Sequence, residues 1–168
     1  MNAIYEISPS ITAIIHNASV FDPGELIDTD YTLLKRQFDV NTFSPMLMTI
    51  EYARRQKNGQ IITLLDTQIQ RYPTNRFAYL MSKKSLADFT QMAAKSLAPG
   101  IRVNGIMPGW VLDPVDKKLS QEEKVARAKA IPLQKAGGPS DICHAIDYLI
   151  NAPFVTGEML DVSGGCCL

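Results

Sequence analysis

The sequence predicts an α/β protein built on a doubly wound parallel sheet. Short continuous runs of β-branched residues, typical of strands buried on both faces of a parallel sheet, alternate with longer segments whose apolar residues recur at helical spacing. No repeat, low-complexity tract or linker interrupts this alternation. Because 168 residues with 46% hydrophobic content suit one core, we expect a single domain over residues 1–168.

The predicted elements follow one another in strict alternation. We expect strands at 11–17, 60–65, 101–106 and 157–162, and helices at 31–57, 76–97, 121–130 and 140–150. An Asn-Gly pair at 58–59 ends the first helix, a Pro-Gly pair at 99–100 ends the second, and Ser140 is the expected N-cap of the last. Residues 1–10 are interpreted as the end of a preceding helix, and 110–135, with several charged positions, as a mobile lid.

The composition argues against several classes of function. Seventeen basic residues balance seventeen acidic ones, so no charge field attracts nucleic acid or anionic lipid. No apolar run approaches the roughly 20 residues that a membrane helix needs, and the N-terminus lacks the regions of a secretory signal. The three cysteines, Cys143, Cys166 and Cys167, form neither a disulfide framework nor a metal-ligand spacing. We therefore expect a cytoplasmic protein with reduced thiols, no metal, no nucleic-acid partner and no membrane partner.

A tyrosine and a lysine near the start of the second long helix are the first chemically informative residues. Tyr79 and Lys83 are four positions apart, which places them on the same helix face. A lysine ammonium close to a phenol favours the phenolate and lowers its pKa from about 10, which would make Tyr79 a usable proton donor. Because helices often contain this spacing by chance, the alternative is an exposed pair of neighbours.

Four motifs occur in the order that one family shows. An Asn-Ala-Ser turn at 17–19 closes the first strand, Tyr-x-x-x-Lys spans 79–83, Asn-x-x-x-Pro-Gly spans 104–109, and Gly-Gly stands at 164–165. In these motifs the chain resembles the short-chain dehydrogenase/reductase family over nearly all of its length. The resemblance implies a Rossmann-like sheet, hydride transfer with NADPH as the cofactor, and a homo-oligomer, a dimer or tetramer, formed through the two long helices.

The resemblance also implies a role for each matching residue. Tyr79 resembles the family's proton donor, and Lys83 its partner, which also hydrogen-bonds the nicotinamide ribose. Asn41 matches the helix asparagine that supports a proton-relay water near the lysine, and the alternative is an ordinary polar residue inside a helix. The other residues that match cofactor-binding positions are Asn17, Ala18, Ser19, Pro108, Gly109 and Val111.

Asp66 departs from the usual pattern of the family. It stands thirteen positions before Tyr79, where most members have a serine whose hydroxyl binds the substrate carbonyl oxygen. A carboxylate cannot donate to a developing alkoxide unless it is protonated. An acid can, however, help to protonate a ring nitrogen and can accept hydrogen bonds from an amino-pyrimidine edge. Asp, Tyr and Lys at this spacing resemble the pteridine reductases and the dihydromonapterin reductases.

Residues after the first strand point to the same substrate. Ser19 replaces the usual glycine, and Phe21 follows two residues later. In pteridine reductases the serine hydrogen-bonds the pterin and the aromatic ring stacks on it, opposite the nicotinamide. The alternative for Phe21 is a loop ring that covers the end of the sheet. Trp110 stands where many relatives have a threonine, and it either lines the substrate pocket or packs beneath the lid.

The resemblance begins partway through the family's domain. No Gly-rich turn for the cofactor pyrophosphate precedes the first strand, which implies an N-terminal truncation of roughly 60 to 80 residues. A fragment, a gene-model truncation and a natural remnant are all compatible with this pattern. The leading hypothesis is a reductase that transfers hydride from NADPH, or alternatively NADH, to a pterin C=N bond. The alternatives are a reductase of another carbonyl or imine, and a non-catalytic remnant that acts in assembly.

Overall fold

The computed structural model describes residues 10–113 and 119–168. Within them, four parallel strands form one sheet in the order β1-β2-β3-β4. The strands are β1 Ala13–His16, β2 Gly59–Leu64, β3 Ile101–Pro108 and β4 Met159–Val162. The α-helices are α1 Tyr31–Phe38, α2 Ser44–Arg55, α3 Phe77–Leu97, α4 Gln121–Lys129 and α5 Pro139–Asn151. The predicted class, an α/β protein with a doubly wound parallel sheet, is confirmed.

Two shorter helical segments connect these elements. A π-helical turn, Asp39–Phe43, joins α1 to α2, and a 3-10 turn, Thr67–Gln70, follows β2. The sequence predicted one uninterrupted helix over 31–57, because periodicity reports the average spacing of apolar residues and does not detect one wider turn. Such turns are frequent at functional sites, and this one contains the fully buried Asn41.

The start of α5 corrects one prediction. The N-cap is Gly138 rather than Ser140, and Pro139 occupies the first helical position. The Asp141 carboxylate accepts a hydrogen bond from the Gly138 N–H at 2.7 Å, whereas Pro139 has no N–H to satisfy. These two residues start the helix before Ser140, so the serine hydroxyl is not needed as a cap.

Two sequence predictions concern residues that the structure does not describe. The preceding helix expected at 1–10 falls almost entirely within residues 1–9, and the expected lid at 110–135 includes residues 114–118. In the remainder of the chain, no helix is both long enough and apolar enough to cross a membrane.

The pleat of the central strands directs alternate residues into two separate cores. Ile61 and Val103, both 0% exposed, face α2 and α3 and belong to one core with Tyr52. Ile62, the next residue of β2, points to the opposite face and shares a second core with Leu149 of α5. Burial of each such side chain contributes about 1.5–3 kcal/mol. Helices therefore cover both faces of the sheet, as the continuous apolar runs predicted.

The strand register brings the loops that follow β1, β2 and β3 to one edge of the sheet. Leu64, the last residue of β2, pairs with Ile106 near the end of β3. The start of α3 returns to the same edge, because Gly24 in the loop after β1 accepts from the Phe77 N–H at 2.9 Å and donates to the Asn75 carbonyl at 3.0 Å. Residues far apart in the sequence therefore meet at this carboxyl edge.

Candidate active site

Tyr79 and Asp66 meet at the carboxyl edge in a direct hydrogen bond. Tyr79 lies in the first turn of α3, and its hydroxyl donates to Asp66 Oδ2 at 2.7 Å. Asp66 follows β2, and its Oδ1 accepts from the Gln68 N–H at 2.7 Å, which caps the turn Thr67–Gln70. Because both carboxylate oxygens have partners, the orientation of Asp66 is fixed relative to the tyrosine.

Burial favours the protonated form of both residues in this pair. It raises the pKa of Asp66, since a carboxylate loses its hydration, and the hydrogen bonds from Gln68 and Tyr79 only partly oppose this effect. Burial, followed by the negative charge of Asp66, raises the pKa of Tyr79, while Arg76 opposes the rise. The prediction that the pKa of Tyr79 lies below its usual value is therefore wrong for this arrangement, because desolvation and the directly bonded carboxylate raise it.

Lys83 is buried one helical turn beyond Tyr79. It is 3% exposed, and its Nζ donates to the Leu64 carbonyl at 2.8 Å. Desolvation lowers the pKa of Lys83 to about 8, although the charge of Asp66 partly opposes the change. An ammonium has three donors, and in the described part of the chain the Leu64 carbonyl is the hydrogen-bond partner of Nζ. Donor capacity thus remains for hydroxyl groups of a bound molecule.

Asn41 connects the loop after β1 to α3. Its Nδ2 donates at 3.0 Å to the Val20 carbonyl, Gln37 Oε1 and Ser82 Oγ, and its Oδ1 accepts from the Val20 N–H at 2.8 Å and from Ser19 Oγ at 3.0 Å. Ser82 stands between Tyr79 and Lys83, and its hydroxyl also donates to the Tyr79 carbonyl at 2.7 Å. These bonds give Asn41 a positioning role, and its catalytic role stays a prediction.

Phe21 lies directly beside the tyrosine and is held by an arginine. The rings of Phe21 and Tyr79 have centroids 4.5 Å apart and planes at 82°. The guanidinium carbon of Arg76 lies 3.6 Å from the centroid of Phe21, and Nη1 donates to the Phe21 carbonyl at 2.7 Å. Arg76 could not be identified from the sequence, because a basic residue just before a helix has no distinctive pattern and its partner is far away in the sequence.

The predicted cofactor residues lie around the same edge. Those that follow β1 are exposed: Asn17, Ala18 and Ser19. At the end of β3, the Pro108 carbonyl accepts from the Thr67 hydroxyl at 3.0 Å, which ties the two strand ends together. A Cβ at Gly109 would lie 2.7 Å from Ser163, so only glycine lets this loop pack on the residue after β4.

Trp110 belongs to a different neighbourhood from Tyr79 and Asp66. The guanidinium carbon of Arg127 in α4 lies 4.9 Å from the centroid of the Trp110 ring. Trp110 and Val111 also line a cavity of about 460 Å³ between their loop and α4. Within the described residues, no hydrogen bond or ring contact joins Trp110 to the tyrosine or the aspartate.

The arrangement can hold a proton and deliver it to a neighbouring atom. Tyr79 and Asp66 share a short contact between two oxygens, and both favour their protonated forms. Lys83 supplies a buried cationic donor one turn away. Among the described residues, no group of three or more His, Cys, Asp or Glu side chains could hold a metal ion. Tyr79, Asp66 and Lys83 themselves offer acid–base chemistry and hydrogen bonding.

Comparison with known proteins reveals similar reductases. Dihydromonapterin reductase of Citrobacter koseri is 30% identical over 166 residues, which cover 94% of this chain and 67% of the relative. The dihydromonapterin reductase of Escherichia coli is 32% identical over 165 residues, or 92% of this chain and 66% of the relative. Human 3-oxoacyl-[acyl-carrier-protein] reductase is 29% identical over 160 residues, which cover 92% of this chain and 66% of the relative. The chain thus spans about two thirds of the length of the curated relatives it matches.

A solved structure and a family model agree with these relatives. The crystal structure of FolM alternative dihydrofolate reductase 1 from Brucella suis in complex with NADP superposes with a TM-score of 0.87 and 27% identity, covering 94% of this chain and 64% of that one. The family model described as enoyl-(acyl carrier protein) reductase matches residues 1–167. With the parallel sheet and the motifs at the carboxyl edge, these matches establish that the chain belongs to the short-chain dehydrogenase/reductase family.

Proposed function

We propose that this chain carries the proton-transfer and substrate-binding residues of a reductase that transfers a hydride from NADPH to the C=N bond of a pterin. The hydrogen bond from the Tyr79 hydroxyl to Asp66 is the observation that carries this proposal. A ketone reductase with a serine at this position has two hydroxyl donors for one substrate oxygen. Here the position of the serine is taken by a buried carboxyl that accepts from the tyrosine, so the site suits a substrate with nitrogen atoms.

The chemical step requires hydride at carbon and a proton at nitrogen. Burial raises the pKa of Asp66, which favours the protonated form that can deliver a proton to a ring nitrogen. The Tyr79 hydroxyl, which donates to Asp66 Oδ2 at 2.7 Å, is the other group that can donate a proton to the nitrogen. In its ionised form Asp66 accepts from the amino group of a pyrimidine edge. The proposed catalytic residues are Asp66, Tyr79, Lys83 and Asn41.

The residues at the carboxyl edge fit a nicotinamide dinucleotide. The buried ammonium of Lys83 has donor capacity beyond the Leu64 carbonyl, and this capacity suits the hydroxyl pair of a ribose. When bound, the cofactor supplies the hydride. The residues proposed to hold it are Asn17, Ala18, Ser19, Tyr79, Lys83, Pro108, Gly109 and Val111. The similarity to an NADP complex supports NADPH over NADH.

Phe21, Ser19 and Trp110 are proposed to contact the substrate. The guanidinium of Arg76 covers one face of the Phe21 ring, so a pterin would stack on the other face. The Ser19 hydroxyl donates to Asn41 Oδ1 at 3.0 Å, which leaves its lone pairs to accept from a pterin amino group. Trp110 would reach the substrate only from the side of the loop that packs on α4.

A reductase of a carbonyl substrate is the second candidate function. It is supported by the human 3-oxoacyl-[acyl-carrier-protein] reductase, whose identity to this chain is similar to that of the dihydromonapterin reductases. Asp66 distinguishes the two candidates only in its ionised form, because an ionised carboxylate repels a developing alkoxide. Reduction of a carbonyl substrate therefore requires Asp66 to be protonated throughout turnover.

Steady-state oxidation of NADPH tests the proposal, with a dihydropterin compared against a panel of simple ketones and quinones. We expect turnover with the pterin to exceed turnover with any ketone. Brisk ketone turnover without pterin turnover would contradict the pterin assignment while leaving the family assignment intact. Absence of turnover with every substrate, in a protein that binds neither cofactor nor pterin, would favour a chain that acts only in assembly.

Self-association through α2 and α3 is also proposed. Large apolar side chains on these two helices and on the residue before α2 are exposed: Phe43 by 48%, Leu47 by 65%, Ile50 by 41%, Met81 by 41% and Met92 by 69%. Their number supports a homodimer or homotetramer that buries this face. Light scattering coupled to size-exclusion chromatography would measure the mass, and Leu47→Glu should shift it toward the monomer. A cytoplasmic location stays a prediction.

A further inference from the structure

Two neighbouring thiols lie against the segment that carries Asp66. The Sγ atoms of Cys166 and Cys167 are 3.8 Å apart. The Cys166 thiol donates to Thr67 Oγ1 at 3.7 Å, and the Cys167 thiol donates to the Thr67 carbonyl at 3.6 Å. Thr67 is 2% exposed, whereas both cysteines are partly exposed. The pair is thus accessible to a small oxidant while contacting the residue next to Asp66.

We propose that Cys166 and Cys167 form a redox-sensitive dithiol that a hydroperoxide oxidises to a vicinal disulfide. The sulfur of Cys166 attacks the peroxide, the O–O bond breaks, and Cys166 becomes a sulfenic acid while water or an alcohol leaves. The sulfur of Cys167 then attacks the sulfenic sulfur, and the S–S bond forms with loss of water. In total, two thiols lose two protons and two electrons, and one hydroperoxide is reduced.

The raised pKa of Cys167 supports this order of attack. Burial raises it to about 11, and the hydrogen bond and charge of Cys166 act in the same direction, while Arg71 opposes them. Because the thiolate is the nucleophile, Cys167 is a poor first reactant toward a peroxide near neutral pH. It nevertheless lies within 3.8 Å of the sulfur that it must attack.

A disulfide between adjacent residues is strained and therefore reversible. Neighbouring Cα atoms are about 3.8 Å apart, closer than the roughly 4.4–6.8 Å that disulfides usually span. The sulfur atoms must also close to about 2.0 Å. Strained disulfides are reduced more readily than structural ones, so a cellular thiol of the glutathione class can restore the pair.

The turn at Gly164 and Gly165, just before the cysteines, limits how far the backbone can move when the disulfide forms. Gly164 and Gly165 have φ values of +69° and +88°, a backbone conformation that residues other than glycine rarely adopt. A Cβ at Gly164 would lie 2.8 Å from Ile131 Cγ2, and one at Gly165 would lie 3.2 Å from Pro132 Cγ. Since this turn is packed tightly, closing the S–S bond should displace the thiols from Thr67 rather than move the turn.

Oxidation would then remove the two sulfur contacts of Thr67. Its hydroxyl also donates to the Pro108 carbonyl at 3.0 Å, and its backbone begins the turn that Asp66 caps. The dithiol is therefore connected to two strand ends of the carboxyl edge. Any effect on catalysis rests on the proposed function, whereas formation of the disulfide does not.

Mass spectrometry of peroxide-treated protein tests the proposal. Cys143 is a single exposed cysteine, so Cys143→Ser removes a thiol that could link two chains. In this variant, hydrogen peroxide should make the peptide that contains residues 166 and 167 lighter by two hydrogen atoms, and dithiothreitol should restore its mass. Adding Cys166→Ser should abolish this decrease in mass. Phenylarsine oxide, which needs two adjacent thiols, should bind one equivalent to the first variant and none to the second.

Two results would overturn the proposal. One is independent oxidation of Cys166 and Cys167 to sulfinic or sulfonic acids in the Cys143→Ser protein, without a disulfide within the chain. The other is failure of phenylarsine oxide to bind the native Cys143→Ser protein. Circular dichroism of each variant verifies that the fold is retained, and neither readout depends on catalytic activity.

Discussion

The two sides of the proposed site differ in how firmly they hold their side chains. On the helix side, α3 buries ten of its residues, including Tyr79 and Lys83, and both hydrogen-bond to groups at the end of β2. The loop side comprises the loops after β1 and β3, which carry Phe21 and Trp110. Trp110 meets Arg127 of α4, a helix that lies wholly in the described part of the chain and buries none of its residues. Groups fixed before the substrate arrives suit the chemical step. We therefore expect helix-side substitutions to lower kcat and loop-side substitutions to raise KM.

The largest effect should come from Tyr79→Phe in an active form of the enzyme. The change removes one hydroxyl that donates to Asp66 and keeps the ring that packs beside Phe21. Loss of a general acid typically lowers turnover by about 10²–10⁴-fold. Steady-state kinetics should show this loss mainly in kcat, while thermal unfolding should show a native fold. Turnover within about threefold of the parent would remove Tyr79 from the mechanism.

Lys83 gives the next largest effect, which appears in stability as a function of pH. Its pKa is about 8 in the folded chain, against 10.5 for an ordinary lysine. Between these values the unfolded chain holds a proton that the folded chain has lost, so the free energy of unfolding rises with pH. Lys83→Met removes this dependence. This lowering of the Lys83 pKa corresponds to a change of about 3 kcal/mol in the difference in unfolding free energy between parent and variant, from pH 8 to 10.5.

Urea unfolding at a series of pH values measures the difference in the free energy of unfolding between the parent and Lys83→Met. The difference should be flat below about pH 7 and should change steadily from pH 8 to 10.5. Lys84→Met is the matched control, since it removes the neighbouring lysine of the same helix, whose Nζ bonds the Tyr72 hydroxyl at 2.8 Å. A difference that does not vary with pH would mean that Lys83 keeps its proton in the folded chain.

Asp66 should control which substrate is reduced. Asp66→Ser should lower pterin reduction by roughly tenfold or more, because a charge-assisted hydrogen bond contributes about 1.5–3 kcal/mol. Asp66→Asn keeps the size of the side chain and one acceptor oxygen, but its amide nitrogen can only donate and it has no acid proton. Since burial raises the pKa of Asp66, the parent's turnover should fall as the pH rises through that pKa, and Asp66→Asn should lack the fall. Unchanged pterin turnover in both variants would contradict the assignment of Asp66.

The fold was predictable because its signals are local. Continuous β-branched runs marked β2 and β3, and helical periodicity marked α3. The spacing of Tyr79 and Lys83 placed them on one helix face, and the resemblance to the short-chain dehydrogenase/reductases identified Asp66; the fold brings all three to one edge. Each of these inferences uses the spacing within one element or the order of elements, which the chain itself carries.

The electrostatics of the site could not be predicted in the same way. The pKa of Tyr79 rises because the residue is buried and because Asp66 of another element lies at hydrogen-bond distance, and no spacing within the chain gives that burial or that distance. The position of Arg76 over Phe21 likewise depends on how the loop after β1 meets the start of α3. Contacts between elements therefore decided the features that the sequence missed or assigned with the wrong sign.

The smallest effect, on the loop side, should come from Phe21 and the arginine that holds it. Phe21→Ala removes a ring that would stack on the pterin in both the ground state and the transition state, so KM should rise while kcat changes little. Aromatic stacking contributes about 0.5–1.5 kcal/mol beyond burial, which corresponds to roughly two- to tenfold in KM. Arg76→Lys keeps the charge but loses the planar group 3.6 Å above the ring, and it should give a smaller change in the same direction. Kinetics with a dihydropterin at saturating NADPH separate the two parameters. A large fall in kcat for either variant would mean that Phe21, whose centroid is 4.5 Å from that of Tyr79, also positions the proton donor, and the division between the two sides of the site would then be wrong.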